Sequence, residues 1–81
     1  MKLFVGGLSP RVTEDRLQER FSLFGRVNSV KIIRDAYTGI SRGFGFVEMP
    51  VEAEARTAID ALDGIELYGV FLAVIAARII S

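Results

Sequence analysis

The sequence predicts an α+β domain in which two helices lie on one face of a four-stranded antiparallel sheet. Strand-like runs and amphipathic helical segments follow one another in the order βαββαβ. No linker, repeat or low-complexity segment interrupts the 81 residues, of which 51% are hydrophobic and 25% are charged. That composition is typical of a globular protein, so we expect one domain over residues 1–81.

The first strand and the first helix are predicted near the N-terminus. Lys2–Gly6, with the sequence KLFVG, has a strand-like composition and ends at a glycine pair. Thr13 is a suitable N-cap, because its hydroxyl can accept a hydrogen bond from the first helical turn. Gly25 is a suitable residue just beyond the helix C-terminus, where a left-handed conformation is common. The apolar side chains between them repeat at i, i+4 and i+7, as one helix face requires: Leu17, Phe21 and Phe24.

Two further strands and a connecting turn follow. Val27–Ile33 is rich in β-branched residues, which favours a strand. Arg34–Ser41 contains the pair Thr38-Gly39 and is predicted to form the turn. Gly43–Met49 alternates glycine with phenylalanine and is the third predicted strand.

The second helix and the last strand complete the pattern. Pro50 suits a helix start, where its missing N–H needs no partner, and Asp63-Gly64 suits the helix end. Val70–Ala76 is the last predicted strand. The apolar spacing i, i+3, i+4, i+7 defines the buried helix face: Ala55, Ala58, Ile59 and Leu62. This order is a split βαβ unit, the ferredoxin-like arrangement, and in so small a chain we expect the second sheet face to stay open to solvent.

Side chains alternate between the two faces of a strand, which assigns the residues of the first and third strands to faces. The residues assigned to the helix-covered face are Leu3, Val5, Val47 and Met49, with two glycines, Gly43 and Gly45. The residues assigned to the open face are Lys2, Phe4, Arg42, Phe44, Phe46 and Glu48. We interpret the glycines as sites where the helices approach closely. The inverted phase, with the phenylalanines in the core, is the alternative.

Charge and composition exclude several classes of function. The net charge is zero, but residues 1–50 carry eight basic and five acidic residues whereas residues 51–81 carry two and five. The chain has no cysteine and no histidine, which removes disulfides, thiolate metal sites and the commonest general base. No carboxylate pair has a partner base or nucleophile, so we predict no enzymatic activity, no metal and no cofactor. The N-terminus does not resemble a signal peptide, and we expect an intracellular protein, cytoplasmic or nuclear.

Two short motifs give the chain a resemblance to a known family. Residues 42–49, RGFGFVEM, match the pattern K/R-G-F/Y-G/A-F-V-x-F/Y except at its last position, where Met49 replaces an aromatic residue. Residues 3–8, LFVGGL, look like the hexamer that accompanies this octamer. Octamer, hexamer and βαββαβ order together resemble the RNA recognition motif (RRM) family over nearly the whole chain.

The resemblance implies an aromatic platform for single-stranded RNA. The two motif strands would lie side by side in the middle of the sheet, and unstacked bases would stack on the rings of Phe4 and Phe46, with Phe44 beside them. The basic residues that the resemblance assigns to RNA binding are Lys2, Lys31, Arg42 and Arg78. Single-stranded RNA is therefore the expected partner, single-stranded DNA is a second one, and no membrane partner is expected.

The last strand departs from the family pattern and leaves an alternative open. It is an edge strand that carries no charge, and such an edge can pair with another chain. The residues that would form an apolar interface are Phe71, Ala73, Ile75, Ile79 and Ile80, whereas Leu72 and Val74 are assigned to the helix-covered face. The alternative function is a protein-binding or self-associating module, natural or engineered, built on the same scaffold. A third interpretation is that the C-terminal tail folds back over the open face.

Overall fold

The computed structural model describes residues 1–77 and has two helices packed on one face of a four-stranded antiparallel sheet. In chain order the elements are β1 (Lys2–Gly6), α1 (Glu14–Ser22), β2 (Ser29–Arg34), β3 (Ser41–Glu48), α2 (Glu52–Leu62), β4 (Glu66–Leu67), β5 (Val70–Phe71) and β6 (Ala73–Ala76). The sheet order is β2-β3-β1-β6, and β4 pairs with β5 in a separate two-stranded ribbon. The predicted ferredoxin-like fold class is confirmed, and the two motif strands β1 and β3 are central neighbours.

The hydrophobic core lies between the sheet and the helices, as the alternation of side chains predicts. Leu3 and Val5 on β1 and Val47 on β3 are fully buried, and Met49 beyond β3 is buried with them. The helix residues that meet them are Leu17, Phe21, Ala55, Ala58 and Leu62. The inverted phase is therefore wrong, because the phenylalanines of β1 and β3 lie outside this core.

The first helix starts where predicted but ends earlier. The Oγ1 atom of Thr13 accepts a hydrogen bond from the N–H of Arg16 at 3.3 Å, which confirms the N-cap. The helix ends at Ser22 with Leu23 as its C-cap. The prediction that Gly25 directly follows the C-cap is wrong, because the helix ends one residue too early and Phe24 takes that position.

The second helix and its flanking residues largely follow the prediction. Its N-cap is Val51, which offers no side-chain hydrogen bond, so Pro50 precedes the helix rather than opening its first turn. Asp63 is the C-cap, and Gly64 follows with a φ of +83°, a conformation that favours glycine. The predicted helix end is thus confirmed. Within residues 1–77 neither helix is long and apolar enough to cross a membrane.

The octamer glycines act on the backbone rather than on helix packing. A Cβ atom at Gly45 would clash with the carbonyl oxygen of Lys31 on the neighbouring strand. Gly43 has a φ of +86°, which other residues rarely adopt, and lies at an irregularity in the β2–β3 pairing. The expectation that these glycines make room for helices is therefore wrong: they let β2 and β3 approach and let β3 bend.

The strand boundaries differ most in the last quarter of the chain. The predicted strand Val70–Ala76 is two strands, because Leu72 leaves the ladder between them. Its N–H donates to the carbonyl of Ile65 at 2.8 Å, and its carbonyl accepts from the N–H of Gly64 at 2.7 Å. These bonds hold β5 in the ribbon with β4 and release only β6 to the sheet. Elsewhere β2 begins two residues later than predicted, and β3 begins two residues earlier.

Candidate functional site

The open face of the sheet carries one continuous row of side chains across all four strands. Phe46 on β3 is the register partner of Phe4 on β1. Lys31 on β2 is opposite Phe46, and Ile75 on β6 is opposite Phe4. Because directly opposite residues share a face, the row reads Lys31, Phe46, Phe4, Ile75 from one sheet edge to the other.

Three phenylalanine rings form a cluster at the centre of this face. The ring centroids of Phe4 and Phe46 are 5.9 Å apart with planes at 67°. The centroids of Phe4 and Phe44 are 5.8 Å apart with planes at 29°, and those of Phe44 and Phe46 are 6.4 Å apart at 88°. These separations are those of favourable aromatic pairs, so the rings hold one another in place. All three are only partly buried and leave ring surface to solvent.

Two of the predicted basic residues lie beside the rings. The Nζ atom of Lys2 lies 4.7 Å from the centroid of the Phe46 ring, within the range of a cation–π interaction. Lys31 is exposed at the end of the same row. The structure therefore places both lysines beside Phe46, Lys2 from β1 on one side and Lys31 from β2 on the other.

Arg42 is tied to a residue that the sequence analysis did not single out. Its Nη2 atom lies 3.3 Å from Oδ2 of Asp35 in the turn between β2 and β3. The other oxygen, Oδ1, accepts the N–H groups of Tyr37 at 2.9 Å and Thr38 at 3.0 Å. Hydrogen bonds from Thr38 and Tyr37 hold the pKa of Asp35 below its usual value of 3.8.

The turn that presents Arg42 is closed by its own backbone. The N–H of Asp35 donates to the carbonyl of Ile40, and the N–H of Gly39 donates to the carbonyl of Asp35, both at 2.9 Å. Tyr37 projects from this turn and is 98% exposed. An aspartate two or three residues before a Thr-Gly pair is a usual turn signal, and it could have identified Asp35 from the sequence.

The residues of the proposed apolar interface are only partly brought together. Ala73 and Ile75 on β6 face the open side as predicted, and Ile75 is 55% exposed. Phe71, 66% exposed, lies on the ribbon strand β5 instead of on the sheet strand. Three further residues assigned to RNA binding or to the interface lie outside the described residues: Arg78, Ile79 and Ile80.

The free edge of β6 accepts a contact from the side chain of Asp63, which lies at the end of α2. The N–H of Val74 donates to Oδ1 of Asp63, the C-cap of α2, at 3.0 Å. The strand itself carries no charge, as its sequence shows, but this carboxylate from the end of α2 occupies one of its outward-facing donors and would oppose an incoming strand. Self-association through the last strand stays a prediction.

A family model described as the RNA recognition motif matches residues 3–72. The RNA-binding protein RbpA of Nostoc sp., described as putative, is 51% identical over 69 residues, which cover 85% of this chain and 68% of that protein. Curated relatives of this kind differ in length, and the chain spans from 22% to 79% of them.

Solved structures give the same result for the fold. A crystal structure of RNA Binding Protein PG1 superposes with a TM-score of 0.94 at 43% identity, covering 100% of this chain and 98% of that one. A structure described as a Sxl-lethal protein–RNA complex superposes with a TM-score of 0.93 at 34% identity, covering 99% of this chain and 48% of that one. Family model, relatives and fold agree, and the chain belongs to the RNA recognition motif family.

Proposed function

We propose that this domain binds single-stranded RNA by stacking bases on Phe4 and Phe46, with Phe44 beside them. The observation that carries the proposal is the three-ring cluster, which stands partly exposed at the centre of the open sheet face. A base has a flat π-face, and stacking on an aromatic side chain contributes about 1–3 kcal/mol per base. Only unpaired bases can splay out far enough to reach such a surface.

The basic residues around the rings suit the sugar–phosphate backbone. Lys2 and Lys31 lie beside Phe46, and Arg42 lies near the start of β3. We assign Arg78 to the same role on the resemblance to the family alone. These charges are few, so the proposed complex depends more on stacking than on phosphate neutralisation.

The similarity to solved complexes supports RNA as the ligand. The Sxl-lethal protein–RNA complex has nearly the same fold, and a structure described as the Rna15 RRM with bound RNA (GU) superposes with a TM-score of 0.84 at 26% identity. Single-stranded DNA offers the same bases for stacking but no 2′-hydroxyl, so we expect it to bind more weakly. The proposed role is binding without catalysis.

Alanine variants of the platform test the proposal. We expect Phe4→Ala and Phe46→Ala each to weaken binding of a mixed-sequence single-stranded RNA by about 1–3 kcal/mol, measured by fluorescence anisotropy. Stability should change little, because neither ring belongs to the buried core. Tyr68→Ala is the matched control, since this exposed ring lies in the connection between β4 and β5, away from the sheet. Unchanged affinity of the Phe4→Ala/Phe46→Ala double variant would refute the platform.

A further inference from the structure

A shallow depression of about 120 Å³ lies beside Phe46 on the open face and has a mixed-charge lining. Lys2, Ser29, Lys31 and Glu48 surround it together with the ring. A carboxylate is out of place on a surface that meets only phosphates, because it repels them. Whereas the lysines suit phosphate groups, Glu48 suits a group of the ligand that donates hydrogen bonds.

The sheet register fixes how these residues stand relative to the ring. Lys2 and Ser29 are the register partners of Glu48 on its two sides, so the three form one row. Phe46 and Lys31 form the adjacent row, two residues along their strands and so roughly 7 Å away. A base stacked on Phe46 would therefore direct one of its edges toward Glu48.

The carboxylate of Glu48 is available to such an edge. Among residues 1–77 no ion pair or side-chain hydrogen bond engages it, although two lysines line the same depression. The ammonium group of Lys2 lies over the Phe46 ring instead. A base stacked on the Phe46 ring would therefore lie close to both a carboxylate and the lysines.

The hydrogen-bonding groups of the four bases show which base suits Glu48. An ionised carboxylate only accepts hydrogen bonds and is best matched by two adjacent N–H donors. Guanine alone among the four bases presents such a pair, its N1–H and N2–H₂ groups, and it also offers O6 and N7 as acceptors to a lysine. Uracil has one N–H donor on its edge, whereas adenine and cytosine each have one amino group beside a ring acceptor.

We propose that this depression reads a guanine base stacked on Phe46. Glu48 accepts the N1–H and N2–H₂ groups, and Lys31 or Lys2 donates to O6 or N7. Glu48 is then a specificity-determining residue of the RNA surface rather than a marginal charge. This inference rests on the proposed RNA-binding function and adds the identity of one base to it.

Single-base substitution in one short RNA tests the inference. The probe is an eight-nucleotide oligouridine with one central guanine, compared by anisotropy with the same strand carrying adenine, cytosine or inosine there. We expect guanine to bind about five-fold or more tighter than adenine or cytosine, since a bidentate contact discriminates at that level. Inosine, which lacks the N2 amino group, should lose much of the advantage.

Glu48→Gln separates recognition from simple charge. Glutamine offers one acceptor and one donor, so the guanine preference should fall to within about two-fold while affinity for the adenine strand is kept or rises. Asp60→Asn, which removes the same charge from the far side of α2, should keep the preference. Equal binding of all strands by the wild-type protein, or an undiminished preference in Glu48→Gln, overturns the guanine site and leaves RNA binding standing. Failure to bind any strand overturns both proposals.

Discussion

The open face of the sheet has two halves of opposite chemistry around one aromatic centre. The polar half, on β2 and β3, carries Ser29, Lys31, Arg42 and Glu48. The apolar half, on β6, carries Ala73 and Ile75 and no polar side chain. Both halves share the same scaffold and the same register with the central strands. A base over the polar half therefore meets hydrogen-bonding groups, whereas a base over the apolar half meets only apolar side chains. We expect the polar half to discriminate between bases and the apolar half to accept any base.

The two halves also differ in the hydrogen bonds that stabilise the segments next to them. The polar half borders the turn between β2 and β3, which backbone hydrogen bonds close and hydrogen bonds to the Asp35 carboxylate reinforce. The apolar half lies on an edge strand only four residues long, whose outer side is bonded to Asp63. The apolar strand is therefore less open to strand pairing than its composition predicts, because a residue in another element protects it.

The largest expected effect separates the two faces of the apolar half. Leu72 is 3% exposed in the core, whereas Ile75 is 55% exposed on the open face. Leu72→Lys buries an unpaired charge and should cost roughly 3 kcal/mol or more of the free energy of unfolding. Ile75→Lys should change that free energy by less than about 1 kcal/mol. Urea unfolding followed by circular dichroism gives both values, and a similar loss in both variants would contradict the assigned strand phase.

A smaller effect comes from adding charge to the apolar half. With about three to four basic groups near the platform, the wild-type log–log dependence of affinity on salt should have a slope of about −2 to −3. Ile75→Lys should tighten RNA binding and steepen the slope by about 0.7, since one more phosphate is neutralised. Anisotropy titrations at several salt concentrations measure both slopes. A wild-type slope steeper than about −5 would reveal a basic surface elsewhere on the chain.

The smallest effect concerns the turn at the polar half. Asp35→Asn keeps an acceptor for the N–H groups of Tyr37 and Thr38 but removes the carboxylate that holds Arg42. We expect RNA affinity to rise by no more than about five-fold, because an exposed ion pair is weak and its loss frees the guanidinium for a phosphate. Asp60→Asn is the control for net charge. Weaker binding by Asp35→Asn would mean that the ion pair positions Arg42 instead of competing for it.

Acidification should act on the same turn with a defined sign. Because the folded-state pKa of Asp35 is depressed, its stabilising contribution is present above the unfolded value of 3.8 and is lost as the pH falls through the folded one. The amide signals of Tyr37 and Thr38 should therefore titrate with a midpoint below 3.8 in the wild type. The same signals should not titrate in Asp35→Asn.

Much of this fold could be predicted because its signals are local. Helix faces, the Thr13 cap and the strand phase of Phe4 and Phe46 follow from periodicity and from short motifs. The split of the last strand could not be predicted, since it depends on hydrogen bonds between Leu72 and residues in a preceding loop. The same holds for Asp63 at the sheet edge, which lies eleven residues from its partner Val74 along the chain.

Several features of the site could not be predicted, because they depend on contacts between strands or on the geometry of the turn. The sequence predicted which sheet face Gly45 belongs to. It did not predict why the residue is glycine, because the atom that a Cβ would clash with is the carbonyl oxygen of Lys31 on another strand. The motif identified Arg42 but not its bond to Asp35, which needs the turn geometry. Glu48 was recognised as an open-face residue, but its place in a depression beside Phe46 depends on the register of three strands.

An amide chemical-shift titration shows whether RNA lies on the aromatic centre and the polar half of the sheet, as we propose. Short single-stranded RNA is added to the isotope-labelled protein, and the shift changes are mapped along the chain. We expect the largest changes in β1 and β3, intermediate changes in β2 and the Asp35 turn, and smaller ones in β6. Changes concentrated on α1 and α2, or on β6 with β1 and β3 unaffected, would contradict it.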